Sequence, residues 1–537
     1  MITIPGFPAG WLVPGTFGLA LFAGGTSGSG DGQRQHVHLG SRIETAITGV
    51  APTLSVAAGT RAANLLTRVL SDEESASYFG RGSALHRMAI RHFRQHPGSV
   101  LWQIAVPQSS GGSPVRALGT VTFVNACTGN ATLRLFIAGR TIELPISGTS
   151  AASVAIATMA EDLCDAINAL DELPVTAQFS SGVTTITAKH YGVRGNQIEF
   201  RAEWVTDVSR VTVSNSAVAP GNGVTTTAAL STSTGALGSG AEGSTAEDIS
   251  TALSLLEAGA WRIVTEQNDA TNLAAIDTWL TAQAAITVQN RHQHVAATRA
   301  TLGDASTLAT DRNNERMQLL WHYASPMPCD EVAAQGQAAR SNGDAQAGGA
   351  TIGEETDANT NLDGVILRDI IPQRDAGDRP TLTECQTALA SGLSPLVPSA
   401  AQPGSVEILS SVTTRTRGSS SGATSYAVHQ TSVVSTIDHC TDDARASFAV
   451  DFRGFRIVAD ATPVTADRTT SPSRVKAWWL AKLKGYEAEA LLRDVDAYES
   501  ELTIEEDEAL AGRLLGEIPM KCVPGLRQMA FVARQRT

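Results

Sequence analysis

The chain has 537 residues, a formal net charge of −13, 42% hydrophobic residues and only 5% aromatic ones. That length suggests roughly two to four domains of about 150 residues, and the apolar content suffices for ordinary cores. The acidic balance excludes a general nucleic-acid binder, which needs clustered Lys and Arg to neutralise phosphate.

The six cysteines, Cys127, Cys164, Cys329, Cys385, Cys440 and Cys522, are widely spaced with no CxxC. They read as reduced thiols of a cytosolic product without a disulfide framework. The apolar stretch WLVPGTFGLALFAGG is broken by Pro14 and several glycines, and the first basic residue is Arg34. It is too short to span a bilayer and lacks the basic start of a signal peptide, so no direct membrane insertion is expected.

Residues 1–34 read as an extended arm. MITIPGF is β-prone, and GGTSGSGDGQ is a flexible linker. An alternation of helix and strand follows. GSALHRMAIRHFRQ places Leu85, Met88, Ile90 and Phe93 near helical spacing, and VLWQIAVP is a continuous apolar strand. The alternation resumes after residue 236. STAEDISTALSLLEAG reads as a helix, AWRIVTE as a strand, and NDATNLAAIDTWLTAQ as a helix with Leu273, Ile276 and Leu280 on one face. HQHVAATRAT and MQLLWHYAS are further strands. Near-continuous apolar strands between helices predict a largely parallel sheet covered on both faces.

Between residues 117 and 235 the rhythm changes. GTVTFVNA, ATLRLFIAG, RTIELPIS, GVTTITAKH and NQIEFRAEW are short alternating strands, interrupted by one helix, AASVAIATMAEDLCDAINAL. This reads as a β-rich domain inserted into a core made of 35–116 and 236–375. A third, α+β region spans 376–515. TLTECQTALASG reads as a helix; SVEILSSVTTRT, SYAVHQTSVVSTI and SFAVDFRGFRIV read as strands. SPSRVKAWWLAKLKGYEAEALLRDVDAYES reads as one long helix, with Ser471 as its cap and Pro472 at its first position. Residues 516–537 form a second arm containing the strand-like RQMAFVARQRT. The fold class is multidomain α/β: a mixed, largely parallel core, a β-rich insertion, an α+β C-terminal domain and extended terminal arms.

Chemistry-bearing motifs do not converge. Gly80-Arg81-Gly82-Ser83 resembles a phosphate-cradling loop, but no Lys follows as a Walker loop requires. It reads better as a turn into a helix capped by Ser83. GSGAEG at 238–243 matches GxGxxG before a helix, but the segment ahead of it is a poor buried strand. GTSAA at 148–152 resembles the serine motif of subtilisin-like proteases. It lacks a placed base and carboxylate, and Thr149 or Ser150 reads as a cap for a helix starting near Ala151. DANTNLDG has Leu362 and Arg368 where a calcium loop needs Gly and Glu. His36/His38 and His292/His294 have no Cys companions and read as strand or surface residues. No catalytic residue, cofactor or metal is expected. The long helix carries Arg474, Lys476, Lys482 and Lys484 early and Glu487, Glu489, Asp494, Asp496 and Glu499 late. That order opposes the helix dipole, and it fits either a solvated face with local ion pairs or a surface completed by an outside partner.

The order of segments resembles the contractile phage tail sheath proteins, most closely the Mu-like type. LSDEESASYFGRGSALHRM is similar to that family's FGRGS segment and first core helix. LFIAGRTIELPISGTSAASVA, ELPVTA and ITAKHYGVRGNQIEF resemble its outward β domain. RIVTEQNDATNLAAIDTWL resembles its strand, acidic turn and helix. LDGVILRDIIP, TLTECQTALASGLSPL and GSVEILSSVTTRT resemble its passage into the C-terminal domain. The resemblance implies a core that is subtilisin-like in shape without protease activity. It implies a structural subunit that stacks as six-fold rings around a tail tube and contracts to drive the tube through the host envelope. Its partners would be itself, the tube protein, and baseplate and tail terminator proteins; it would be assembled in the host cytoplasm and reside in the virion. A phage-like injection particle or bacteriocin is the alternative setting, and a subtilisin-like hydrolase a remote one. The resemblance implies that arm residues Ile2, Ile4, Phe7, Trp11, Met529, Phe531 and Val532 link subunits. Arg474, Lys476, Lys482 and Lys484 would then face the tube.

Overall fold

The computed structural model describes residues 19–22, 25–28, 35–50, 53–123, 126–127, 130–148, 152–205, 210–213, 228–230, 237–245, 247–256, 261–347, 362–418, 422–461, 467–508 and 510–523. β1 (Leu19–Phe22) pairs antiparallel with β2 (Gly25–Gly28). Part of the stretch expected to be a free linker is therefore paired backbone, which its glycines permit without steric conflict.

β3 (Gln35–Gly40) leads into the hairpin β4 (Ile47–Val50) and β5 (Thr53–Val56) and the short β6 (Thr67–Val69). α1 (Asp72–Phe79) and α2 (Ala84–Gln95) follow, then β7 (Leu101–Ala105). Ser71 caps α1 by accepting from the Glu74 N–H, and Asp72, Glu73 and Glu74 suit the positive end of the helix dipole.

The next segment contains β8 (Arg116–Phe123), β9 (Asn130–Ile137), β10 (Arg140–Ser147), α3 (Ile156–Asn168), β11 (Val175–Ser180), β12 (Val183–Tyr191), β13 (Phe200–Val205), β14 (Arg210–Val213) and β15 (Ala228–Leu230). They form two four-stranded antiparallel sheets, ordered β10-β9-β13-β14 and β11-β12-β8-β15. Alternation along β10 sends Ile142, Leu144 and Ile146 into a core shared with Leu133, Leu163, Ile186 and Phe200. α3 begins later than expected: Ala155 is its N-cap and no side chain caps it. Thr149 and Ser150 lie outside the described residues.

The main sheet then resumes. α4 (Ser250–Ser254), β16 (Trp261–Thr265), α5 (Ala270–Gln283), β17 (Gln293–Thr298), α6 (Leu302–Arg312), β18 (Met317–Trp321) and α7 (Cys329–Ala347) alternate as expected, although α4 is only one turn. β19 (Val365–Leu367), α8 (Leu382–Ala390), β20 (Leu393–Pro398) and β21 (Val406–Ile408) complete it. The nine strands run β19-β21-β20-β18-β17-β16-β3-β7-β6. The six from β20 to β7 are parallel, and β19, β21 and β6 close the two edges antiparallel. The sheet thus extends past residue 376, where composition suggests a third region.

Both faces are covered. Val37, Leu39, Ile263, Ala296 and Leu319 pack against residues of α4, α5, α6 and α8. Val264, Val295 and Leu320 face α2 and α7. Gly336 lets α7 approach closely, since a Cβ there would stand 2.4 Å from Leu320 Cδ1. The fold is mixed α/β around a large mixed sheet.

The remaining elements are α9 (Thr431–Asp451), β22 (Arg456–Ile457), β23 (Thr469–Thr470), α10 (Pro472–Ala488), β24 (Thr503–Glu506) and β25 (Leu514–Glu517). Here two expectations fail. The second half of SYAVHQTSVVSTI, from Thr431, and the first five residues of SFAVDFRGFRIV, to Asp451, form α9, not strands; of the latter only Arg456–Ile457 is a strand. The β-branched Val433, Val434, Thr436 and Ile437 suggest β structure, but Val434, Asp438, Thr441 and Ala444 are buried at helical spacing. Packing overrides propensity. The long helix is also shorter than expected: α10 ends at Ala488, and Asp494, Asp496 and Glu499 lie in 3-10 turns or their caps.

Candidate functional site

The FGRGS turn is a mechanical seat. Gly80 and Gly82 have φ of +91° and +75°, and Ser83 caps α2 by accepting from the His86 N–H at 3.2 Å. The space in front of the turn is filled by the inserted segment. Lys189 of β12 reaches in and donates from Nζ to the carbonyls of Arg81 at 3.1 Å and Asp171 at 2.6 Å. A Cβ on Gly82 would stand 2.3 Å from both Leu173 O and Lys189 Nζ. Burial, helped by the nearby Arg87 cation, pulls the Lys189 ammonium down to about 7.

Below that seat α2 is fastened to α7 by buried ion pairs. Arg87 donates to Asp330 at 2.8 Å and Glu331 at 3.1 Å, and Arg91 donates to Glu331 at 2.7 Å. Burial opposes the Arg87 charge, but Asp330 and Glu331 outweigh it and its pKa is raised. Burial pushes the Asp330 carboxyl up to about 6. A second latch fastens α9 to the end of the main sheet. Arg316 forks onto Asp438 at 2.7 and 2.8 Å, while Arg291 donates to the Asp438 carbonyl at 2.9 Å. Arg374 pairs with Glu199, joining the inserted segment to the loop after β19. None of these pairs was legible beforehand, because the partners are separated by many residues and nothing in either local sequence marks them.

The remaining motifs do not form a reaction centre. Residues 238–245 are tied by isolated backbone bridges to Ser110, Val115 and Leu118, and the next helix starts only at Ser250. That placement removes GSGAEG from any helix N-terminus. Of DANTNLDG, residues 357–361 lie outside the described residues, Leu362 is buried, and Asp363 accepts from the Ser411 N–H. The paired histidines are buried on or beside strands. His38 bonds Gln337, His294 bonds Thr265, and His292 stacks on Trp279 at 4.7 Å. Among the described residues, no group of three or more His, Cys, Asp or Glu is arranged to hold a metal ion. Cys522 is half-buried and the other five cysteines are buried; all six are free thiols.

The basic residues of α10 are brought together on one helix, but two are already engaged. Lys482 pairs with Asp443 at 3.0 Å and donates to Ser447, and Lys484 pairs with Asp496 at 2.9 Å. Arg474 donates to the Thr469 carbonyl at 3.1 Å, and Lys476 is half-buried. Ser471 occupies the N-cap position without a side-chain cap bond, and Pro472 is at the first helical position. Between α9 and α10 lies an open groove of about 430 Å³, lined by His439, Asp443, Trp478, Lys482, Tyr486 and Glu489. Among the described residues no helix is long and apolar enough to cross a membrane. Ile2, Ile4, Phe7, Trp11, Met529, Phe531 and Val532 lie outside the described residues.

No family model matches the chain. A cryo-EM structure of the anti-feeding prophage (AFP) baseplate, 6-fold symmetrised, aligns over 51% of this chain and 68% of its own, at 12% identity and a TM-score of 0.32. That likeness is too loose to argue from. The Mu-like prophage FluMu tail sheath protein of Haemophilus influenzae is 24% identical over 455 residues, covering 84% of this chain and 85% of the relative. The resemblance read from the ordered segments thus extends along most of both chains, and this chain is similar to a Mu-like prophage tail sheath protein over more than four-fifths of its length.

Proposed function

We propose that this chain is the structural subunit of a contractile tail sheath. It polymerises as stacked six-membered rings around a tail tube and shortens to drive the tube through the host envelope. The observation that carries the reading is the similarity to a Mu-like prophage tail sheath protein, covering more than four-fifths of each chain. In this reading the core, C-terminal part and arms build the lattice, while the segment from about 117 to 235 faces outward. The terminal arms pair with neighbouring copies, and the basic side of α10 faces the tube. Baseplate and terminator proteins bound the polymer in the virion, after assembly in the host cytoplasm. Electron microscopy of the purified full chain tests this directly: tubes with six-fold symmetry are expected, and a chain that stays monomeric at every concentration refutes it. A phage-like injection particle would use the same subunit, and its gene neighbours would lack a genome-packaging set.

A further inference from the structure

The end of α9 and the start of α10 carry an aromatic surface on a chain that is only 5% aromatic. Phe448 stacks on Phe452 at 4.5 Å, and Trp478 meets them edge-on at 5.5 and 5.8 Å. Phe455 adds a fourth ring, 5.5 Å from Phe452. The Trp478 indole N–H donates to Asp451 at 2.8 Å, which fixes the ring and makes the platform rigid. Val450 and Phe455 stand out from it, 75% and 38% exposed. Arg453, Arg456 and Arg468 are exposed nearby, and none has a salt bridge among the described residues. A preformed aromatic centre beside unpaired arginines has the composition of a binding surface, where such residues dominate affinity.

The complementary charge is on the same chain. Beyond the C-terminal end of α10, Glu499, Glu501, Glu506 and Glu508 are exposed and likewise hold no salt bridge among the described residues. No salt bridge joins the two sets within one copy. We infer that the aromatic–arginine surface docks onto the acidic 499–508 face of a second copy of this chain. The occupant follows from sign and stoichiometry: the arginines match a face that every copy carries, and the chain as a whole is at −13. Two different surfaces meeting head to tail do not close as a twofold dimer; they propagate into a ring or a helix. The inference rests on the sheath reading and specifies which surfaces meet.

The test uses the full-length chain, electron microscopy and sedimentation. The variants are R453E/R456E, E499K/E501K, their combination, and V450D. Each charge variant should raise the protein concentration needed for assembly by about tenfold or more, since reversal turns attraction into repulsion. The combined variant should recover assembly, V450D should lose it, and all should melt as wild type when monomeric. Wild-type assembly should weaken with salt. Normal assembly by folded single-site variants, or no recovery in the combination, would overturn the contact. Variants that polymerise normally alone but fail only on added tail tubes would assign the surface to the tube instead. If either charge variant is misfolded, V450D and the other charge variant decide. A wild type that never assembles overturns the sheath reading as well, so the two failures are distinguishable.

Discussion

Replacing Asp438 by Ala would remove the one carboxylate that holds Arg316 in a two-pronged grip and also accepts from Arg291. All three side chains are 1% exposed or less. Arg291 keeps the backbone carbonyl of residue 438 at 2.9 Å and Asp442 at 3.4 Å, so Arg316 is the cation left without its counter-charge. Breaking a buried pair from one side costs about 3–5 kcal/mol, because the orphaned charge stays desolvated. The loss should fall on α9 and the strand ends it covers, read as a lower urea midpoint and faster amide exchange in α9. Removing the orphan as well, in D438A/R316M, should recover about 1–3 kcal/mol, since a packed apolar group tolerates the site better than an unpaired cation. A D438A protein within about 1 kcal/mol of wild type, or no recovery from R316M, would refute the view that this latch holds α9.

Acid should destabilise the protein well before its carboxylates are neutralised. Burial pulls His38, His190, His294 and His322 each down to about 3. Their folded values lie below the unfolded 6.5, so stability is intact above that pH and falls towards pH 3 as the unfolded chain binds protons first, at about 1.4 kcal/mol per histidine per pH unit. Asp330, raised to about 6, offsets part of one such contribution. A urea midpoint unchanged between pH 7 and pH 5 would contradict this. Gly82→Ala should destabilise by about 2 kcal/mol or more, because a left-handed φ and a backbone carbonyl both oppose a Cβ; a melting temperature within a degree of wild type would show that the turn can yield. Lys482→Glu with Lys484→Glu breaks two partly exposed pairs and should cost the monomer about 1 kcal/mol or less by thermal melting. Assembly on tubes is then a clean second readout: a loss there supports a tube-facing role, and unchanged assembly across a range of salt removes it.

The parallel strands were legible because runs such as QHVAAT and MQLLW are buried along their whole length, a pattern only a doubly covered sheet requires. The inserted strands were legible for the opposite reason, a strict alternation such as that of RTIELPIS. α9 was misread because its local preference and its packing disagree. Its buried stripe, Val434, Asp438, Thr441 and Ala444, packs against distant parts of the chain, with Asp438 meeting Arg316 across the fold, and no window of sequence contains that meeting. The seat under FGRGS was half legible: the cap at Ser83 follows from local rules, whereas Lys189 arriving from 108 residues away does not. The aromatic surface shows in the sequence only as scattered Phe and Trp, because local preference reads the end of α9 as strand.

The placement of the insertion has a consequence for how the chain is made. β3 is an interior strand of the main sheet, and one of its two neighbours, β16, emerges from the ribosome only after the whole insertion; Ser41 and its partner Glu266 are 225 residues apart. At roughly 5–20 residues per second, β3 waits on the order of 10–45 s for that edge to be covered. The strands from 116 to 230 need no such wait, since their ladders with one another all fall within the same stretch. They can form first and bring Ser110 beside Thr245 and Val115 beside Ala241, drawing together the two halves of a sheet that would otherwise have to find each other across a long loop. These strands would then act during synthesis as a folding clamp, and shortening them should slow maturation of the core before it lowers the stability of the finished fold.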